Sequence, residues 1–391
     1  MTTQKSDVVV IGSGMIGSAA ALGLGQAGFS VRIVENYRPQ DFDPLRPPQL
    51  RISAINIASV NLMQNLGIWQ DILRMRGIPY RSLEIWEWDK FHLIFKAKDL
   101  GIPELGYMLE NNILQLAFWS HLEQIPNIMF HVPSRLDMLR QSSDGWIVSL
   151  NDGSHIKTKL VLGADGKDSQ VRTLAGIGLH GWQYRQSCML ISVVMQNDPL
   201  DITWQQFTPH GPRAFLPLWE QWGLLVWYDD PGRIRQLMTL SMKELTKEIT
   251  STFPKRLGNV QAITVKSFSL ERSNANCYVQ EGLVLLGDAA HTIHPLAGQG
   301  VNLGYRDVSC LLAVIIQARE KGKIWSSKNI LKNYQNFRIP DNLLMQAGID
   351  LLYFTFHNKS KFLQCIRNMG LIATEHSIQL KKYILKYLLG L

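Results

Sequence analysis

Apolar and polar positions along the chain fall into segments of changing period. Val8-Val-Val-Ile11 is a short β-branched run; glycines follow, then a small-residue stretch with helical spacing as far as Ala27, stopped by Gly28. Residues 30–34 return to strand character and end on Glu35, which predicts one strand-helix-strand unit within the first 35 residues. After a proline-rich link at 39–48, the spacing predicts a helix over 59–72, strands over 82–95, a helix over 112–122 and strands near 128–131, 145–150 and 160–163. Asn151-Asp-Gly153 reads as a type I′ hairpin turn. From 181 to about 269 the chain is strand-rich with tryptophans and prolines and reads as an inserted sheet domain; strand-turn-helix order then resumes from 282 to 317.

The first unit carries glycines at 12, 14 and 17. At that spacing the first permits a tight turn, the second lets backbone approach a pyrophosphate, and the third lets helix and strand pack closely. The amides and positive dipole end of the helix that follows favour anions. Glu35 stands where a carboxylate can accept bonds from the ribose of a dinucleotide.

A second stretch, GLVLLGDAAHTIHPLAGQGVNLG from 282 to 304, sets Asp288, His291 and His294 three residues apart. Residue types alone suit zinc or iron. Order argues against it, because Gly287 ends a buried-strand run and Pro295 clashes inside a continuing helix, so the three side chains leave an irregular turn in different directions. No metal is expected. Local structural roles are the default for the two histidines. Gly287-Asp288 reads as a ligand turn at a strand's carboxyl end, with Asp288 able to accept bonds from a polyol. Pro295, Gly298 and Gly300 open a helix whose amino end suits an anionic, flat ring.

Composition bounds these readings. At 391 residues, 46% hydrophobic and 18% charged, the chain is a folded, soluble protein too long for one core. The apolar run from Val8 to Gly28 after Lys5 imitates a secretion signal or a membrane span, but its residue order is that of the first unit. Cys188, Cys277, Cys310 and Cys365 are scattered, which implies no disulfide framework and fits a reducing cytoplasm. The net charge is +8, and from residue 352 Lys359, Lys361, Arg367, Lys381, Lys382 and Lys386 face Glu375 alone among leucines and aromatics. Such a tail suits an anionic membrane surface or a protein partner, and equally a solvated helix face. No nucleic-acid-binding pattern is present, and nucleic acid is not an expected partner.

Three segments in order, the glycines at 12, 14 and 17, Gly163-Ala-Asp-Gly166 with Val171-Arg172, and Gly287-Asp288 with Pro295-x-Ala-Gly-Gln-Gly300, resemble the fingerprints of the single-component FAD-dependent aromatic hydroxylases. Residues 287–307 and Arg51-Ile-Ser-Ala-Ile55 resemble the ubiquinone-biosynthesis branch, and Leu105-Gly-Tyr-Met-Leu-Glu110, residues 341–350 and residues 380–391 resemble its bacterial members acting on methoxylated polyprenyl benzoquinols. The similarity runs end to end. Ser13 stands where many relatives have glycine, and Phe337-Arg338 replaces a common arginine pair.

The resemblance implies an α/β fold, a Rossmann-like FAD-binding domain (1–80, 106–178 and 270–335) with an inserted β-sheet substrate domain (81–105 and 179–269) and a C-terminal helical, basic amphipathic segment (336–391). It implies FAD on Gly12, Gly14, Gly17 and Glu35, with Arg51 and Asn111 along the phosphate and ribityl region and Asp288 on ribityl hydroxyls. Asp165-Gly166 is expected where the pyrophosphate and a nicotinamide donor approach; Asn111 alternatively caps the following helix. The implied activity is ring hydroxylation of a polyprenyl benzoquinol at the demethoxyubiquinol step, using molecular oxygen and NAD(P)H or another reductant. Other ubiquinone-biosynthesis proteins are expected partners, and the expected location is cytoplasmic, peripheral on the inner face of the membrane. No catalytic residue is assigned, although His294, His210 and several tyrosines have the chemistry to take a phenol proton. The alternatives are a sister hydroxylase acting on an earlier polyprenyl phenol, a flavin-dependent isoprenoid reductase, and a non-catalytic prenyl-lipid carrier; a plain NAD-dependent dehydrogenase leaves residues 287–304 unexplained.

Overall fold

A computed structural model describes residues 4–196, 201–358 and 360–391. Val8, Val9 and Val10 are fully buried because the strand Gln4–Ile11 runs through the centre of a sheet, paired in parallel with His155–Gly163 on one side and Val31–Val34 on the other. Leu283–Leu285 extends the sheet beyond His155–Gly163, and Ile128–His131 extends it beyond Val31–Val34, both in parallel. The register aligns Ile11, Val34, Gly163 and Leu285. Consequently Gly12, Glu35, Ala164 and the Gly287 turn emerge from one edge of the sheet. The run from Val8 to Gly28 is strand, turn and the helix Met15–Gln26, whose small side chains are buried in the core.

A second eight-stranded sheet, counted among the described residues, runs from His291–Thr292 through Val260–Ala275, Leu179–Met195, Trp222–Asp229, Arg213–Pro217 and Ile202–Gln206 to Ser82–Trp86 and His92–Lys96. Its two faces follow from side-chain alternation. Met189, Ile191, Trp204, Phe215, Leu225 and Trp227 pack against the helices Pro231–Met238 and Met242–Thr252, while Leu190, Gln205, Leu216 and Val226 point the other way, into a cavity. A three-stranded sheet of Ile52–Asn56, Gly106–Glu110 and Ile78–Tyr80 joins the two large sheets.

Three local expectations need correction. The turn after Leu150 is not type I′, which requires positive φ at both central residues; among the described non-glycine residues only Glu220 has positive φ. Gly153, at +80°, instead ends a three-residue loop in which its amide returns to the Leu150 carbonyl. The helix expected over 59–72 is two helices, Ile57–Asn65 and Trp69–Met75, because Gly67 at +82° turns the chain between them. The strand-rich segment also holds the helices Pro231–Met238 and Met242–Thr252. Their start signals, Pro231 after Asp230 and the reciprocal Ser241–Glu244 cap, are legible in the sequence but were outweighed by the surrounding tryptophans.

Helices Lys328–Phe356, Lys361–His376 and Ile378–Leu389 complete the chain, the first running unbroken through the expected boundary at 335/336. They are less freely basic than the sequence suggests. Buried Arg367 pairs with Glu87, and Lys381 pairs with Glu375. Lys361, Lys382 and Lys386 remain exposed, and Lys359 lies outside the described residues.

Candidate active site

At the shared edge of the first sheet, two glycines are demanded by backbone contact. A Cβ on Gly12, whose φ is +90°, lies 2.6 Å from the Ala164 carbonyl oxygen, and one on Gly17 lies 1.9 Å from that of Gly12. Gly14 differs, since a Cβ there meets nothing within 4 Å. Its smallness serves whatever approaches from outside. A trough of about 570 Å³ opens over these residues, lined by Gly12, Gly14, Glu35, Arg135, Asp165 and Gly166. The Glu35 carboxylate is fixed by the Ser13 amide at 2.6 Å and the Asn36 amide at 2.7 Å. Ser13 in turn is held by helix Asn111–Leu122, its carbonyl accepting from Gln115 Nε2 (2.9 Å) and Trp119 Nε1 (3.1 Å).

Asp165 borders the trough but is turned into its own loop, accepting from Ser169 Oγ at 2.6 Å and the Val171 amide at 3.1 Å. Burial pushes its carboxyl pKa up against those bonds. Asn111 does not cap its helix. Glu110 occupies that position without a side-chain cap, and Asn111 Oδ1 accepts from Ser53 Oγ at 2.6 Å.

Asp288 is exposed, with protein atoms crowding its carboxyl from behind. That crowding raises its carboxyl pKa, opposed by the fields of His291, Lys167 and Arg51. Among the described residues its carboxylate has no hydrogen-bond partner, and Gly287, with φ +56°, turns the chain so that the two residues sit at the sheet edge beside Ile16. Gly287 is itself fixed, because its amide donates to Asp307 Oδ2 at 3.1 Å.

The three residues of the apparent metal triad diverge. His291 Nε2 lies 2.6 Å from Asp307 Oδ2, on the fully buried carboxylate that Arg338 Nε also approaches at 2.7 Å. His294 Nδ1 accepts from the Leu296 amide at 3.1 Å, and its ring sits among Tyr184, Tyr228 and Tyr353. Burial lowers its pKa to about 4, so the ring is neutral. Among the described residues no group of three His, Cys, Asp or Glu side chains has metal-holding geometry.

A second cavity of about 210 Å³ lies between the two sheets, bordered on one side by Pro295, Gly298 and Gln299. Gly300 begins the helix Gly300–Glu320 immediately behind them. The opposite walls come from the inner face of the second sheet and from Leu385, Leu388 and Leu389 of the last helix. Neither His294 nor exposed His210 lines it. These walls were missed in the sequence. The signal that finds them is period two: 188 and 190, 203 and 205, 214 and 216, and 224, 226 and 228 all face inward.

The sequence pattern of the family described as FAD binding domain matches residues 5–341. The chain belongs to that family. It is 52% identical, over all 391 residues of both chains, to the 3-demethoxyubiquinol 3-hydroxylase of Escherichia coli K12. It is also 32% identical to the ubiquinone hydroxylase UbiL of Rhodospirillum rubrum, across 98% of this chain and 90% of that one. Its fold is similar to that of p-nitrophenol 4-monooxygenase from Pseudomonas putida, with a TM-score of 0.81, 19% identity and 99% of each chain covered. This chain is thus an FAD-dependent monooxygenase of aromatic-hydroxylase fold. The residues present fit FAD: an opening over Gly14 at a helix amino end, and an exposed carboxylate at Asp288 with no hydrogen-bond partner among the described residues.

Proposed function

We propose that this protein hydroxylates the ring of a polyprenyl benzoquinol at the demethoxyubiquinol step of ubiquinone biosynthesis. One oxygen atom of O₂ enters the ring and the other leaves as water, with two electrons from NAD(P)H or another reductant. The observation that carries this is the apolar cavity against Pro295, Gly298 and Gln299, in a chain that matches a demethoxyubiquinol hydroxylase from end to end.

FAD supplies the oxygen chemistry when bound. The chain's residues hold and screen it. Gly14 leaves room for the pyrophosphate at the amino end of Met15–Gln26, in a turn that Gly12 and Gly17 allow to close, and Glu35, already oriented by two amides, would accept from the ribose. Asp288, in the field of Arg51, would take ribityl hydroxyls, Gly166 in the trough lining would border the pyrophosphate, and Pro295 to Gly300 would offer small residues and a helix amino end to the ring. Asn111, hydrogen-bonded to Ser53, positions the adjoining strand from the start of its helix.

A cavity of about 210 Å³ accommodates a substituted ring, since one of about 150 Å³ binds benzene. The polyprenyl chain must therefore lie outside. Leu385, Leu388 and Leu389 wall the cavity on one side of the last helix, and Ile378, Leu380 and Tyr383 of that helix are exposed. Phe362 (73% exposed), Ile366 and Met369 of the preceding helix are exposed as well, as are Lys361, Lys382 and Lys386. Exposed apolar side chains interspersed with lysines on two helices suit an anionic bilayer, supporting a cytoplasmic protein peripheral on the inner membrane face. Other ubiquinone-biosynthesis proteins are the expected neighbours there.

Quinone analysis of a strain lacking the gene tests the step. The demethoxy quinone should accumulate; accumulation of an earlier polyprenyl phenol instead would reassign the protein to a sister hydroxylation.

A further inference from the structure

The cavity between the sheets is walled mainly by Leu, Ile, Met, Val and Ala, so its few polar groups are informative. Most are already engaged. Asn56 accepts from the Ser59 amide at 3.0 Å and donates to the Leu388 carbonyl at 3.1 Å, and the Thr203 hydroxyl donates to the Phe215 carbonyl at 2.7 Å. The Tyr228 hydroxyl interacts with the Cys188 thiol.

Two are not. The Gln205 amide and the Tyr80 hydroxyl make no hydrogen bond with any described residue and open onto the cavity, although they belong to residues only 8% and 7% exposed. Buried polar groups are otherwise almost always paired, because losing water without gaining a partner is unfavourable. Strand alternation fixes the direction of Gln205. The Trp204 ring packs into the helix-covered core and the residue only borders the cavity, whereas alternation turns the Gln205 and Thr203 side chains toward it. Tyr80 ends the strand Ile78–Tyr80 and lines the same space from the three-stranded sheet.

Building on the ring-hydroxylation reading above, we propose that Gln205 and Tyr80 are the residues that recognise the oxygen substituents of the substrate ring. A quinol offers hydroxyls that donate and accept and a methoxy oxygen that only accepts. An amide matches both needs with its N–H and C=O, and a phenol supplies a donor. Burial raises the Tyr80 pKa, so its hydroxyl keeps its proton near neutral pH. Hydrogen bonds from both groups orient the ring against Pro295 and Gly298. A site built around such bonds discriminates strongly against analogues lacking the oxygen, because its own polar groups are then left unpaired.

The test uses FAD-loaded enzyme and a demethoxyubiquinol with a short, water-soluble side chain. Gln205→Leu and Tyr80→Phe should keep wild-type FAD content and melting temperature, while KM rises about ten-fold or more and less hydroxylated product forms per reductant consumed. Should Gln205→Leu lose FAD, Gln205→Met, of similar length, replaces it. A second substrate with methyl in place of methoxy should be a poorer substrate than its parent for wild type, and the gap should close in one variant. Unchanged KM and product yield in both variants, with wild type active, overturns the assignment of Gln205 and Tyr80 and leaves the hydroxylase reading intact. Failure of wild type itself to hydroxylate the demethoxy quinol overturns the hydroxylase reading, and this assignment with it.

Discussion

Nε2 of His291 lies 2.6 Å from Oδ2 of Asp307, a fully buried carboxylate that also accepts from the Gly287 amide at 3.1 Å. One aspartate on the helix Gly300–Glu320 thus fixes both sides of the Asp288 turn, and Arg338 supplies the balancing charge from the next helix.

Replacing Asp307 by Asn should be severe. It takes from the buried Arg338 guanidinium one of its two carboxylate partners, Asp341 being the other, and removes the charge facing His291, a loss approaching the about 3–5 kcal/mol for breaking a buried pair. Burial alone would raise the Asp307 pKa, but His291 and Arg338 outweigh it and hold the group below the ordinary value of 3.8. A depressed folded-state pKa contributes stability above about pH 4, lost as pH falls through the folded value. Denaturant unfolding at several pH values should show Asp307→Asn less stable near neutrality, with the difference from wild type shrinking in acid.

His294 should add an acid limb of its own. Burial lowers its pKa from 6.5 to about 4, so between these values the unfolded chain binds a proton that the folded chain refuses. Stability is therefore retained above about pH 6.5 and falls as pH drops toward 4, by about 3 kcal/mol in total. His294→Gln should flatten that limb. An unchanged slope between pH 4 and 6.5 would contradict the buried neutral ring.

Glycines 12 and 14 should separate folding from cofactor binding. Gly12→Ala forces a Cβ against the Ala164 carbonyl and should lower the melting temperature of the FAD-free protein. Gly14→Ala meets open space, so the FAD-free protein should stay within about 1 kcal/mol of wild type while the Kd for FAD rises at least ten-fold. Titration of FAD against intrinsic fluorescence reads both.

Asp288→Ala should weaken FAD binding without reducing the stability of the FAD-free protein, since the carboxylate has a raised pKa and no partner among the described residues. Elemental analysis of wild type should find no stoichiometric zinc or iron. A stable metal signal without a yellow chromophore would reverse the reading of that turn.

Charge reversal at Lys382 and Lys386 tests the membrane face. Each lysine near an anionic surface contributes about 1 kcal/mol, so the double glutamate variant should partition at least about thirty-fold less onto anionic vesicles. Hydroxylation of a short-chain quinol should be unaffected. Deleting the tail from residue 352 is the poorer test, because it removes Leu385 and Leu389 from the cavity wall and Arg367 from Glu87.

The local sequence determined the parts that depend on backbone. Glycines at 12, 14 and 17, the β-branched runs and the Gly287 turn announce themselves, because tight turns and close backbone approach admit few residue types. Folding decided the rest, where function depends on which side chains meet across long separations. Parallel register set Gly12, Glu35, Ala164 and Gly287 along one edge. Asp307 became the partner of both His291 and Arg338 only when two helices met, and the basic tail lost two of its charges to Glu87 and Glu375. Gln205 looks like any strand glutamine. Only the closure of three sheets and the last helix around it turns its amide into an enclosed cavity with no hydrogen-bond partner among the described residues, because pairing and burial are properties of the assembled interior.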